Sequence, residues 1–301
     1  MKSTLFTLTT LLLLSVPTLL TSPDHAVAQQ HRQKLIEEDV PENALVPDPG
    51  VVSYTFRRQF SEDIPGTLDL IKEMGFSNIE FSSLFGATAE ELREMLDERG
   101  LICTSYGVGY DALMYETERI IEEAQTLGAS YVRVGSIPHQ SPFTVEDADR
   151  AIEDFNRVGR VLSENGLTFA YHNHGFEFRP HEEGTLFDYL ITESDPDHVF
   201  FEMDVFWIAH PGHDPVEYME KYPDRFRLMH LKDLTKDAEH NFSGRAPSNY
   251  DVPLGTGQVD FPALIRAAED SAVENYYIED ETVDVVSRVP VSRYYIQSIT
   301  R

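Results

Sequence analysis

The chain has 301 residues, with 52 Asp and Glu against 24 Lys and Arg and a formal net charge of −28. A surface this acidic is repelled from nucleic acid and anionic lipid, whose binders carry a basic face, so those partners are excluded. Hydrophobic residues at 41% and aromatics at 11% are enough to build a core, and the single cysteine, Cys103, rules out a disulfide framework or a cysteine-based zinc site.

The chain opens on Lys2 and an apolar run from Leu5 to Leu20, followed by the small-x-small pattern Ala26-Val27-Ala28. Residues 1–28 read as a secretory signal peptide, which predicts a secreted or periplasmic protein with no membrane contact beyond that leader. The run is short for a bilayer span and is interrupted by Pro17. Residues 29–50 are polar and hold Pro41, Pro47 and Pro49 without periodicity, the composition of a linker. The domain is expected over 51–301.

From there, short β-rich runs alternate with segments of helical period. The predicted strands are Val51–Phe56, Asn78–Ser82, Ile102–Tyr106, Tyr131–Gly135, Thr168–His172, Val199–Asp204, Arg227–Leu231 and Tyr276–Glu279. Predicted helices between them include Thr88–Arg99, with Leu92, Met95 and Leu96 on one stripe, and Ala112–Leu127, with Ile120, Ile121 and Ala124 on another. Gly75, Gly100, Gly128 and Gly166 each close a helix before a strand. Eight such rounds over about 250 residues predict an α/β fold, a (β/α)8 TIM barrel in a single domain. An open doubly wound sheet is the alternative, but no G-x-G-x-x-G turn follows the first strand.

In a barrel, polar residues at the carboxyl ends of strands are candidate chemistry. Period two places His172 and His174 on one face of strand five. Strand six carries Glu202 and Asp204 among apolar neighbours, and a buried acid there needs a cation to answer it. Strand seven offers His230 and Lys232, and strand eight Glu279, Asp280 and Glu281. His172, Asp204, His230 and Glu279, from four adjacent strand ends, would make a mixed nitrogen and oxygen site for Mn²⁺, Zn²⁺, Co²⁺ or Mg²⁺. The competing account is a set of salt bridges, Lys232 to Glu279 for example. Glu80, Trp207 and His210 are candidate substrate-binding residues: a carboxylate for sugar hydroxyls, and an aromatic face with a neighbouring imidazole. For each, ordinary packing or an arginine partner is the plainer alternative. Gly255-Thr256-Gly257 lacks the ending of a phosphate loop and reads as a structural turn. No G-x-S-x-G elbow exists, which disfavours covalent catalysis.

The series Tyr171-His172-Asn173-His174-Gly175-Phe176-Glu177, Glu202-Met203-Asp204-Val205-Phe206-Trp207, His230-Leu231-Lys232-Asp233, Pro253-Leu254-Gly255-Thr256-Gly257 and Tyr277-Ile278-Glu279 resembles the sugar phosphate isomerase/epimerase family, on a xylose isomerase-like TIM barrel. The resemblance spans roughly Val51 to Tyr295. It implies one divalent cation, often manganese, held by Glu, Asp, His and Glu from strands five to eight, of which the last three fall on Asp204, His230 and Glu279. At strand five this chain has His172-Asn173-His174 in place of the family's Glu, so the fourth ligand is His172, with His174 or Glu177 as alternatives.

The resemblance implies a small carbohydrate substrate, and export with an acidic charge implies an unphosphorylated one. The first expectation is a metal-dependent isomerase or epimerase working through an enediolate. Its alternative is a keto-sugar dehydratase or 3-keto-glycoside lyase on the same barrel, with His174, Glu177, Lys232 and Glu279 as the catalytic candidates. A carbohydrate-binding protein without activity is the reading from another class.

Overall fold

A computed structural model describes residues 40–301. Eight parallel strands close into a barrel: β1 (Gly50–Val52), β2 (Asn78–Phe81), β3 (Ile102–Val108), β4 (Tyr131–Val134), β5 (Thr168–His172), β6 (Val199–Asp204), β7 (Phe226–Leu231) and β8 (Asn275–Ile278). Each pairs with its sequence neighbours, and β1 closes the ring on β8 through Gly50 with Tyr277 and Val51 with Ile278. The outer layer is formed by α1 (Ile64–Glu73), α2 (Ala89–Arg99), α3 (Thr117–Leu127), α4 (Val145–Glu164), α5 (Leu186–Glu193), α6 (Pro215–Lys221), α7 (Phe261–Glu269) and α8 (Val285–Gln297). Among the described residues no helix is long and apolar enough to cross a membrane.

The helices start where side chains can take the free amides of the first turn. Thr88 with Glu91, Thr144 with Asp147 and Thr185 with Asp188 each form a capping box. The stops fall on the glycines expected, with Gly100 at φ 65° and Gly128 at φ 78°, a left-handed turn that lets the chain leave the helix for the next strand. On α4, Ala151, Ile152, Phe155, Val158 and Leu162 form a buried stripe against the sheet.

Two elements differ from the sequence reading. The first strand is three residues long and gives way to a 3-10 turn over Ser53–Phe56. There the Ser53 hydroxyl accepts from the Ser82 backbone N–H (2.8 Å), supplanting the next rung of the ladder. The helix expected over 112–127 is broken at Glu116 into Tyr110–Tyr115 and α3. Residues 44–50, read as the end of a linker, are fastened to the barrel. Val46 is buried, the Leu45 N–H donates to the Ile299 carbonyl (2.9 Å), and Gly50 begins β1. The leader read at 1–28 lies outside the described residues, as does the linker up to 39.

Inside the barrel the side chains are layered. Val52, Tyr131, Ala170, Leu228 and Tyr277 form an apolar plug. One pleat further along the strands, Arg133, His172, His230 and Glu279 follow Tyr131, Ala170, Leu228 and Tyr277, so polar groups begin where the plug ends. Beyond β7, Asp233–Leu234 pairs antiparallel with Asp251–Val252, closing the base of a long loop whose residues 244–248 reach the barrel mouth.

Candidate metal centre

The floor of the site is a buried charge layer. Glu80 from β2 and Glu202 from β6 are both fully buried, with Arg133 between them. The Arg133 guanidinium lies 2.9 Å from Glu80 and 3.1 Å from Glu202. Its slot exists because Gly107 and Gly135 have no side chain: a Cβ at those positions would stand 2.6 Å and 2.9 Å from the guanidinium nitrogens. Burial alone would raise the Glu80 carboxyl, but Arg133 and His230 hold it well below the usual carboxylate range. Glu202, desolvated beside Glu80, is pushed up to about 8.

His230 connects this layer to the one above. Its Nε2–H donates to the ionised Glu80 (2.7 Å), which leaves Nδ1 facing Glu279 Oε2 at 3.5 Å and Asp204 Oδ2 at 3.8 Å. A histidine oriented by a carboxylate on its far nitrogen is the usual arrangement of a metal ligand. His172, the last residue of β5, brings Nε2 to 3.2 Å from Asp204 Oδ2. Asp204 is held in place by Asn173, which accepts from the Asp204 N–H (3.0 Å) and donates to its carbonyl (3.2 Å). The Asp204 carboxylate also accepts from the Trp207 N–H (3.1 Å).

His172, Asp204, His230 and Glu279 thus present donor atoms that all lie within 4.8 Å of one another, every one of the residues buried. Two ligand atoms about 2.1 Å from a tetrahedral ion are roughly 3.4 Å apart, close to the 3.2 Å between His172 and Asp204 and the 3.5 Å between His230 and Glu279. The buried His230 Nδ1 has no hydrogen-bond partner, an orphaned polar atom that a bound cation would satisfy. The residues present therefore fit a single divalent ion.

The cluster opens onto a cavity of about 800 Å³ lined in part by His172, His174, Trp207, His230, Lys232 and Glu279. Lys232 donates to Glu279 (3.3 Å), pairs with Glu281, and rests over the Phe206 and Trp207 rings. Burial opposes charge on Lys232, but Glu279 and Glu281 keep it well above the ordinary lysine range, so it remains an ammonium. His174 follows the strand end, its ring 4.9 Å from that of His172. Burial, with His172 alongside, pushes the His174 imidazole down to about 3 and keeps it neutral.

Three residues selected from sequence stand off the cavity. Glu177 is buried behind the strand end, where it accepts from the His174 N–H (3.0 Å) and the Tyr171 hydroxyl, and burial raises its carboxyl to about 8. It positions the His174 loop. Glu80 lies beneath the metal layer and orients His230, so it does not reach sugar hydroxyls. His210 is fully buried against Phe206 and Trp207. Of the substrate-binding candidates, Trp207 alone lines the cavity. Gly255-Thr256-Gly257 is a turn held by the Asp233 carboxylate, which accepts from the N–H groups of Gly255 (3.0 Å) and Gly257 (2.8 Å).

The sequence profile of the xylose isomerase-like TIM barrel family matches residues 68–286. The chain belongs to that family. An inosose dehydratase of Geobacillus kaustophilus is 27% identical over 211 residues, 59% of this chain and 67% of that protein. The chain spans about half the length of an inosose dehydratase from Clostridium perfringens, 53% at 26% identity. In three dimensions it is similar to a sugar phosphate isomerase/epimerase from Parabacteroides distasonis, with a TM-score of 0.69, 25% identity, and coverage of 88% of this chain and 99% of that one. The IOLI protein crystallised with a bound zinc atom shares the fold at a TM-score of 0.65 and 13% identity, over 84% of this chain and 96% of that one.

Proposed function

We propose that the protein is a divalent-metal-dependent carbohydrate lyase that removes the proton beside the ketone of a keto-sugar or keto-cyclitol and expels the oxygen substituent one carbon further on. The observation that carries this reading is the four-donor cluster of His172, Asp204, His230 and Glu279, of which all but Asp204 line one cavity together with a neutral imidazole, His174, and an ammonium, Lys232. The likeness to inosose dehydratases favours elimination over isomerisation, reversing the order expected from sequence. The four donors, two imidazoles and two carboxylates, suit Mn²⁺ first and Zn²⁺, Co²⁺ or Mg²⁺ after it.

When bound, the ion would draw electron density from the substrate carbonyl and so acidify the neighbouring C–H. His174 accepts that proton. Lys232 hydrogen-bonds the departing oxygen and supplies its proton as the C–O bond breaks and the C=C bond forms. Water or an alcohol leaves, and no electron donor or acceptor is needed. Trp207 and Phe206 wall one side of the cavity, and Glu177 fixes the backbone of His174 through its amide. Isomerisation is the second reading, favoured by the likeness to the Parabacteroides structure. In it Glu279, held ionised by Lys232 and His230 against the effect of burial, would share proton transfer with His174.

The test is incubation of the Mn²⁺-loaded protein with an inosose and with a 3-keto-glycoside in D₂O, followed by NMR and by absorbance of the conjugated enone. The expected result is elimination that EDTA abolishes and that His174→Ala slows by about 100-fold or more. Deuterium incorporation or an isomeric ketose without elimination would establish the second reading instead. Binding without turnover of either compound would leave a carbohydrate-binding protein. We also place the protein outside the cytoplasm, on the strength of the leader pattern at 1–28. N-terminal sequencing of the exported chain is expected to begin at Gln29.

A further inference from the structure

Net charge predicts a neutral ligand, but the charge at this cavity is arranged differently from that of the chain. Five cationic residues line it: Arg57, Arg58, Arg133, Lys232 and Arg245. Two are spoken for, Arg133 by Glu80 and Glu202, and Lys232 by Glu279 and Glu281. The remaining acid of the lining, Asp251, faces Arg288 at 3.6 Å and accepts from the Glu281 N–H (2.7 Å). Among the described residues none of Arg57, Arg58 and Arg245 forms an ion pair, in a chain with more than twice as many acids as Lys and Arg.

Arg57 is fixed in place without being neutralised. Its guanidinium donates to the carbonyls of Tyr54 (2.9 Å) and Glu281 (3.1 Å) and lies 4.3 Å above the Tyr54 ring, so all of its contacts are with uncharged groups. Arg58 and Arg245 are exposed at the same mouth, Arg58 in the short helix Arg57–Glu62 that follows β1 and Arg245 in the loop after β7, the two strands that flank β8. Salt screens distant surface charge over about 8–10 Å, so a ligand in the mouth experiences these arginines more than the acids on the far side of the barrel. Guanidinium groups with free donors match the paired oxygens of a carboxylate or phosphate.

We propose that the substrate of this site carries an anionic oxygen group, a carboxylate or a phosphate, held at the cavity mouth by Arg57, Arg58 and Arg245 while its polyol part lies over the four-donor cluster. The inference rests on the reading of the cluster as a metal-assisted carbohydrate site. It replaces the neutral substrate expected from charge and export.

Calorimetric titration of the Mn²⁺-loaded full chain with sorbitol, D-gluconate and sorbitol 6-phosphate tests it. At low salt one or both anions are expected to bind about tenfold or more tightly than sorbitol, the effect of a charged hydrogen bond. The ratio should shrink at high salt and collapse in the Arg58→Ala/Arg245→Ala variant, while Arg58→Lys/Arg245→Lys retains part of it. The preferred anion identifies the group as carboxylate or phosphate. Equal affinity for all three, or binding of none, overturns the proposal, as does a ratio unchanged in the alanine pair. Sorbitol binding that survives EDTA would count against the metal reading and leave the charge preference standing, so the two fail separately.

Discussion

Replacing Arg133 with methionine removes the guanidinium that lies between two buried acids while keeping most of the side-chain volume. At the observed 2.9 Å to Glu80 and 3.1 Å to Glu202, Coulomb's law with an effective dielectric of 20 gives about 6 and about 5 kcal/mol of attraction before desolvation is subtracted. Burial beside Glu80 pushes the Glu202 carboxyl upward and so weakens its charge, which makes its share the smaller of the two. Glu80 is the group left ionised, with His230 as its remaining partner. Breaking a buried pair from one side costs about 3–5 kcal/mol, and we expect Arg133→Met to fall in that range. For a domain of this size the thermal midpoint should drop by roughly 10 °C. Urea unfolding of the metal-free protein at pH 7, followed by circular dichroism, measures it. Adding Glu80→Gln should recover at least half of the loss, because the acid that Arg133 answered is then gone. A cost below about 1 kcal/mol for Arg133→Met, or no recovery in the double variant, would refute the charge-layer account.

Glu177 makes stability depend on pH. Its folded-state value near 8 exceeds the ordinary 4.5, so the contribution of the protonated carboxyl is complete below about pH 4.5 and is lost as pH rises through 8. The unfolding free energy of the wild type, measured in urea, should therefore fall between pH 5 and 8 relative to Glu177→Gln, by an amount on the order of 3–5 kcal/mol; parallel pH profiles would sink the assignment. Asp204→Ala and His230→Ala should each lose the single equivalent of metal that the wild type retains after dialysis, as read by elemental analysis with folding checked by circular dichroism. Gly159→Ala on α4 should destabilise by about 1–3 kcal/mol despite the better helix propensity of alanine. A Cβ there would stand 2.4 Å from the backbone oxygen of His198, and an unchanged melting temperature would show that α4 can shift to make room.

The barrel was legible because its signals are local. Each glycine stop and each run of alternating apolar residues lies within a dozen positions, and the strand ends differ from the expected ones by a residue or two wherever the ladder continues. The donor residues were legible for the same reason, one at each of four successive strand ends. Arg133 was not, because its meaning lies in Glu80 and Glu202, far away in sequence and brought together only when the barrel closes. An arginine in the otherwise apolar Tyr131-Val132-Arg133-Val134 was the available signal, since period two turns it inward with Tyr131. Glu177 misled because spacing cannot show that a side chain folds back on the amide three residues earlier. Choosing between His172 and His174 required the strand end itself: His172 is inside the ladder, paired with Glu202, and His174 lies beyond it.

The antiparallel pair of Asp233–Leu234 with Asp251–Val252, backed by the grip of Asp233 on Gly255 and Gly257, acts as a clasp at the root of the loop that reaches the mouth. Whatever lies beyond a clasp can vary in length at little thermodynamic cost, since doubling a flexible loop adds only about 0.6 kcal/mol of closure entropy. The four-donor cluster is built from residues at the strand ends on the other side of it. The same scaffold can therefore acquire new recognition by exchanging one cassette, residues 235–250, and a graft from another barrel at that junction is a direct route to changing which molecule is admitted without rebuilding the chemistry beneath.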